Sequence, residues 1–235
     1  MCGVYREPMT AMAKARLLDE AESTGDTTRM SELAEHRDRA VRAAVARNPS
    51  APIALLERLV ADKNYLVRFA VARNPSPAAW QIAMTAPDAD VRVILAQRQD
   101  LDEQTLERLV AAPEVAVRMS VAESTQRSDV LHRLARDPEK RVRAATATRP
   151  ELLSDDDLEL LAADKTTQVR AVVVQSRRLS EKTVTRLAAD RSGHVRYFTL
   201  EAHPERFDLA ERLQADKDSD IADLARRIVA ERPTL

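Results

Sequence analysis

One dipeptide at nearly constant spacing limits the possible folds more than any other feature of this chain. Val-Arg recurs at Val41-Arg42, Val67-Arg68, Val91-Arg92, Val117-Arg118, Val142-Arg143, Val169-Arg170 and Val195-Arg196, and a degenerate eighth copy begins at Ile221-Ala222. The intervals are 26, 24, 26, 25, 27, 26 and 26 residues. A motif held to one period over most of a chain marks a tandem array, in which each unit buries its apolar face only against its neighbours.

Each unit reads as two helices. In the first, apolar or small residues stand at positions 0, +3 and +4 from the valine, as in Val41/Ala44/Val45, Val67/Ala70/Val71 and Val169/Val172/Val173. That spacing makes one helical face. The helix ends at Asn48-Pro49 or Asn74-Pro75, or at variants such as Arg149-Pro150 and His203-Pro204, because proline disfavours helical geometry in the residue before it. The second helix starts at an N-cap (Asp102, Ser154, Ser180), with Leu101, Leu153 or Leu179 before it and Leu106, Leu158 or Val184 placed to complete a hydrophobic staple. An acidic turn follows: Asp62, Asp137, Asp164, Asp190 and Asp216 each precede the next signature by five residues. Helices this short are marginal alone, so the pattern predicts an all-α solenoid.

Composition supports this. Only 3 of 235 residues are glycine, which leaves little material for phosphate-binding loops or tight β-turns. The single cysteine, Cys2, rules out an internal disulfide framework or a multi-cysteine metal site. No metal and no cofactor are therefore expected. The charged residues scattered through the first 30 positions give no apolar signal region, and no apolar run is long enough to cross a bilayer. The expectation is a cytoplasmic protein without membrane contact. The formal net charge of −1 argues against a dedicated polyanion binder.

The unit V-R-x-A-V-A-x-N-P-x-x-P-x-x-L-L-x-x-L-x-x-D, legible at Val41–Asp62 and Val67–Asp88, resembles the leucine-rich repeat variant (LRV), and also the HEAT repeat in its Asp-x-x-x-x-Val-Arg signature. The resemblance covers residues 28–231. It implies a right-handed α-solenoid of about eight 24–27-residue repeats, in which one helix of each pair is short, down to 3₁₀ geometry. The boundaries expected are residues 1–37 for the N-terminal cap helices, 38–217 for seven repeats and 218–235 for a C-terminal capping helix, in one continuous domain. The family's founding member carries a cysteine-rich iron–sulfur module, for which this chain has no cysteine set, so no redox role carries over.

Function is less legible. The arginine ladder (Arg42, Arg68, Arg92, Arg118, Arg143, Arg170, Arg196) reads as structural, each guanidinium near the acidic turn of its own or the adjacent unit. The alternative is a row of nucleic-acid phosphate contacts. Position +2 lies ~200° from the core direction and should face solvent, yet Phe69, Val93, Met119 and Tyr197 occupy it. Position +6 changes sign along the array, from Arg47 and Arg73 to Glu123 and Glu201. In HEAT-like arrays this helix lines the concave surface, so an apolar stripe with a basic and an acidic end points to a protein or peptide partner. Tight curvature burying position +2 is the competing reading.

Trp80, with Met84 on the same face, fits a packing role in the shortest unit. Its other possible role, a base-stacking platform, connects to the HEAT-like alkylpurine DNA glycosylases, whose chemistry needs further aromatics and a nearby carboxylate. The four histidines show no paired spacing for zinc, and the run Asp155-Asp156-Asp157 suits a helix N-terminus better than a metal. Met1-Cys2-Gly3 matches the start of N-terminal-nucleophile amidotransferases, but nothing downstream matches that fold. No nucleophile–base pair can be assembled, and the chain reads as a non-enzymatic interaction scaffold. Nucleic-acid binding is the runner-up.

Overall fold

The structure, a computed structural model, describes residues 10–232. Among these residues the regular structure is all helical, seventeen α-helices and one 3₁₀ turn, without a strand. Cys2 and the Met1-Cys2-Gly3 start lie outside the described residues. Packing divides the chain into two compact units, residues 1–121 and 122–235, and the division falls within helix α9 (Val115–Ser124).

In the first unit, α1 (Ala11–Ser23) and α2 (Thr27–Ala34) precede the first Val-Arg helix. The repeats follow as α3 (Arg39–Arg47) with α4 (Ile53–Leu59), α5 (Tyr65–Ala72) with α6 (Pro77–Ala83), and α7 (Ala89–Ala96) with α8 (Glu103–Val110). The Val-Arg helices stack in one row, α3 on α5 and α5 on α7, with α1 packed on α3; the second helices form a looser row, α2 to α4 to α6. Val41, Val45, Val67, Val71, Val91 and Leu95 have no exposed surface. The valine and its +4 partner thus form the seam between the rows.

The second unit repeats the scheme. It comprises α10 (Ser128–Leu134), α11 (Lys140–Ala147), α12 (Asp155–Ala162), α13 (Thr167–Val173), α14 (Glu181–Leu187), α15 (Gly193–Ala202), α16 (Phe207–Leu213) and α17 (Ser219–Ala230). Its Val-Arg row runs α11, α13, α15, α17. In α11 and α15 the +4 core position is threonine: Thr146 and Thr199 are buried and donate to the carbonyls of Val142 and Val195 at 2.9 and 2.7 Å. Returning the hydroxyl to the helix's own backbone is what lets a polar residue occupy an apolar seam. In α17 the core stripe is Ile221, Ala225 and Ile228, whereas Arg226, Arg227 and Glu231 are exposed.

The second helices are short, seven or eight residues each, but they are α-helices; the one 3₁₀ turn among the described residues is Pro150–Leu152, ahead of α12. Side-chain caps help to hold them in α geometry despite their length. Asp102, Ser154 and Ser180 accept from the N–H groups of Thr105, Asp157 and Thr183 at 2.8, 3.1 and 3.2 Å. Where proline opens the segment, the backbone suffices: Pro52 caps α4 without a side-chain bond, and its carbonyl accepts from Leu56 N–H at 3.1 Å.

Candidate functional site

Six of the seven ladder arginines are anchored on both sides. Every one of the seven donates through Nη1 to the carbonyl six residues before it, at 2.6–2.9 Å: Arg42 to His36, Arg68 to Asp62, Arg92 to Ala86, Arg118 to Ala112, Arg143 to Asp137, Arg170 to Asp164 and Arg196 to Asp190. These carbonyls lie just beyond the preceding second helix, where no helical donor remains. The other edge of the guanidinium grips the next acidic turn. Arg42 meets Asp62 at 2.7 and 3.0 Å, Arg143 meets Asp164 at 2.6 and 3.0 Å, Arg170 meets Asp190 at 2.7 and 2.8 Å, and Arg196 meets Asp216 at 2.7 and 2.6 Å. Arg68 pairs with Asp88 and Arg92 with Glu114. Arg42, Arg143, Arg170 and Arg196 are buried, and the other three are half-buried. Arg42, Arg68, Arg92, Arg143, Arg170 and Arg196 each tie two successive turns together.

The carboxylates are equally committed. Asp62, Asp137, Asp164, Asp190 and Asp216 each accept from the N–H two residues on, at 2.7–2.9 Å. Burial pushes the Asp62, Asp164 and Asp190 carboxyls up, but the facing guanidinium and this N–H more than offset it, and all three stay below the usual carboxylate range. At Asp216 the Arg196 hydrogen bond is the largest influence, and the carboxyl is again lowered. The unfolded chain titrates these groups near the ordinary value of about 4. A depressed folded value means that their stabilisation is complete above that range and is lost as pH falls through it. The melting temperature should hold between pH 7 and pH 5 and drop by roughly 10 °C or more by pH 3. A melt followed by circular dichroism across that range decides it; an unchanged midpoint at pH 3 contradicts the assignment.

Position +2 is neither open nor sealed. Phe69, Val93, Met119 and Tyr197 are all half-buried, while the small residues Ala43, Ala144 and Ala171 at the same position are buried. Each of these larger side chains is partly covered and partly accessible. Tyr197 packs edge-on against Phe198, with ring centroids 5.8 Å apart. Arg47, Arg73, Glu123 and Glu201 are all exposed.

Three of these residues come together. Arg47, Phe69 and Arg73 line one hollow of about 310 Å³ in the first unit, with Leu18, Arg39, Ala40, Ala43, Leu66 and Ala70. Val93 and Met119 do not line it, and Tyr197, Glu123 and Glu201 belong to the other unit. Arg39, Leu18 and Leu66 were not singled out by the sequence pattern. Leu66 carried a usable signal: positions −1, +2 and +6 are three and four residues apart, so Leu66, Phe69 and Arg73 form one stripe. Leu18 carried none, because it lies in α1, ahead of the first Val-Arg signature. The cluster extends to Tyr65, 52% exposed, whose ring stands edge-on to Phe69 at 5.4 Å.

Trp80 is only 4% exposed; its Nε1–H donates to the Asn74 carbonyl at 2.8 Å and the Arg98 guanidinium lies 4.9 Å from its ring centroid. This ring packs the joint and offers no free face to a base. Asp157 is buried and accepts from Ser154 Oγ at 2.7 Å and Arg136 Nη1 at 2.6 Å, and His132 Nδ1 stands 2.9 Å away. The serine hydroxyl is thus spent on the carboxylate and not on the imidazole. Among the described residues no cluster of His, Cys, Asp and Glu could hold a metal, and no helix is long and apolar enough to cross a membrane.

A family model described as leucine rich repeat variant matches residues 39–64. Among solved structures, the chain is similar to one described as a leucine-rich repeat variant with a novel repetitive protein structural motif. The two share 25% sequence identity and superpose with a TM-score of 0.64, over 90% of this chain and 81% of that one. No curated protein matches the sequence.

Proposed function

For a chain built as a helical solenoid of leucine-rich-repeat-variant type, we propose a non-enzymatic scaffold role: the Val-Arg face receives a segment of a partner protein. The observation that carries this reading is the half-buried +2 stripe of Phe69, Val93 and Met119 in the first unit, a row of apolar side chains that packing leaves partly accessible. Partial burial fixes the side chains beforehand, which lowers the ordering cost of binding. Fixed aromatic anchors beside arginines are the composition of interface hot spots. Six of the seven ladder arginines are engaged by acidic turns, which removes most of the regular row of cations from service as phosphate ligands, and this favours a protein partner over a nucleic acid.

The test compares wild type with Phe69→Asp/Met119→Asp, after circular dichroism shows both folded, in affinity capture from the native host, and then repeats the binding with the purified partner. The double variant should lose a partner that wild type retains. Identical partner sets would exclude the stripe. A gel-shift titration against single-stranded and duplex DNA at two salt concentrations tests the other class: nanomolar affinity with a steep salt slope would replace the scaffold reading.

A further inference from the structure

The hollow between α1, α3 and α5 carries more chemistry than the stripe as a whole. Its floor is apolar: Leu18, Ala40, Ala43, Phe69 and Ala70, with the 40% exposed Leu66 at the edge. Three arginines stand around it. Arg47 pairs with Glu22, but both side chains are more than 40% exposed, so a competing carboxylate can displace this contact at little cost. Arg39 and Arg73 are exposed and have no hydrogen-bonded or ionic partner among the described residues. Two unpaired guanidinium groups beside an apolar hollow are complementary to an apolar group flanked by negative charge.

The geometry points to a specific occupant, a peptide segment with one large apolar side chain, aromatic or leucine-like, flanked by acidic residues. The side chain enters the hollow against Phe69 and Leu18, and the carboxylates pair with Arg39 and Arg73. A hollow of about 310 Å³ takes one such side chain and not a folded domain. Tyr65 extends the contact surface along α5. This deepens the scaffold reading and rests on it, because it names the chemistry of the segment that the Val-Arg face receives. It is distinct from phosphate recognition, in which the apolar floor would have no part.

The experiment uses the full chain and three fluorescein-labelled twelve-residue peptides, followed by anisotropy at two salt concentrations. One has a central Phe flanked by Glu, one has the same Phe flanked by Lys, and one has Gly in place of Phe between the same Glu residues. The Glu-Phe peptide should bind, with the Lys-Phe and Glu-Gly peptides at least about tenfold weaker. Arg39→Gln/Arg73→Gln should weaken the Glu-Phe peptide about tenfold and flatten its salt dependence. Phe69→Ala should weaken it comparably with the salt dependence kept. Equal binding of Glu-Phe and Lys-Phe peptides, no measurable binding of Glu-Phe, or an unaffected Arg39→Gln/Arg73→Gln variant overturns the proposal. Preference for a single-stranded oligonucleotide competitor over the Glu-Phe peptide overturns it as well. The broader reading is judged separately: if Phe69→Asp/Met119→Asp loses its host partner but Arg39→Gln/Arg73→Gln retains it, the face binds protein and this hollow is not the acidic-segment site.

Discussion

Arg143→Ala should destabilise the second unit by about 3–5 kcal/mol, the usual cost of removing one member of a buried ion pair. Arg143 and Asp164 are each 8% exposed at the side chain and joined through two hydrogen bonds of 2.6 and 3.0 Å. The same guanidinium donates to the carbonyls of Asp137 and Pro138 at 2.8 and 3.1 Å. Alanine leaves a buried carboxylate without its counter-charge and removes the donor shared by two turn carbonyls, and neither loss is recovered by collapse of the site. Arg143→Met with Asp164→Leu should recover a large part of the deficit, because an apolar pair needs no desolvated charge. Recovery stays incomplete, since Asp164 also accepts from Thr166 N–H at 2.7 Å. Repeat arrays need not unfold in one step, so urea melts should be paired with hydrogen exchange at α11 to α13. A single variant within 1 kcal/mol of wild type by both methods would show that the pair is dispensable.

The helices and their seams were legible because they depend on local rules. Val41, Val67 and Val169 announce the core by their spacing, and Ser154 and Ser180 announce helix starts by chemistry that acts within three residues. The arginine–aspartate pairing was legible as proximity to acidic turns, because its two members recur in step. Its second half was not. The carbonyl six residues back has no side-chain identity to read, so nothing distinguishes Ala112 from Asp137 in its role as acceptor. The hollow was half legible: Arg47, Phe69 and Arg73 follow from the repeat, while Leu18 lies in α1, outside the period, and Arg39 precedes the signature by two residues. The cross-repeat donors were hidden most completely, because unrelated residues perform one task. Asn48 and Asn74 reach back to the preceding turn in the first unit; in the second, Arg149 donates to Glu123 O, Arg178 to Pro150 O and Leu153 O, and His203 Nε2 meets Val174 O.

Asn74→Asp should therefore be at least as damaging as Asn74→Ala, although aspartate keeps the shape and one acceptor oxygen. Asn74 has no exposed surface. Its Nδ2 donates to the carbonyls of Ala46 and Asn48 at 2.8 and 2.9 Å, and its Oδ1 accepts from Ser76 N–H at 2.8 Å. The Ala46 carbonyl lies at the end of α3, and the N–H that could otherwise serve it, that of Ser50, is already bonded to Asn48 Oδ1 at 2.8 Å. Alanine removes both donations and leaves a small void, at a cost of about 2–4 kcal/mol. Aspartate preserves the Ser76 contact but turns a charged oxygen toward two carbonyl oxygens in a buried site, where it must either repel them or take up a proton. The proton, if taken up, restores one donor, so Asn74→Asp should regain stability as pH falls from 7 toward 5, the opposite direction to the wild-type acid response. Thermal melts of the three proteins at both pH values separate these roles. If Asn74→Asp melts like wild type at pH 7, the side chain works through its acceptor oxygen alone, and the bridge from α5 back to α3 does not bear on stability.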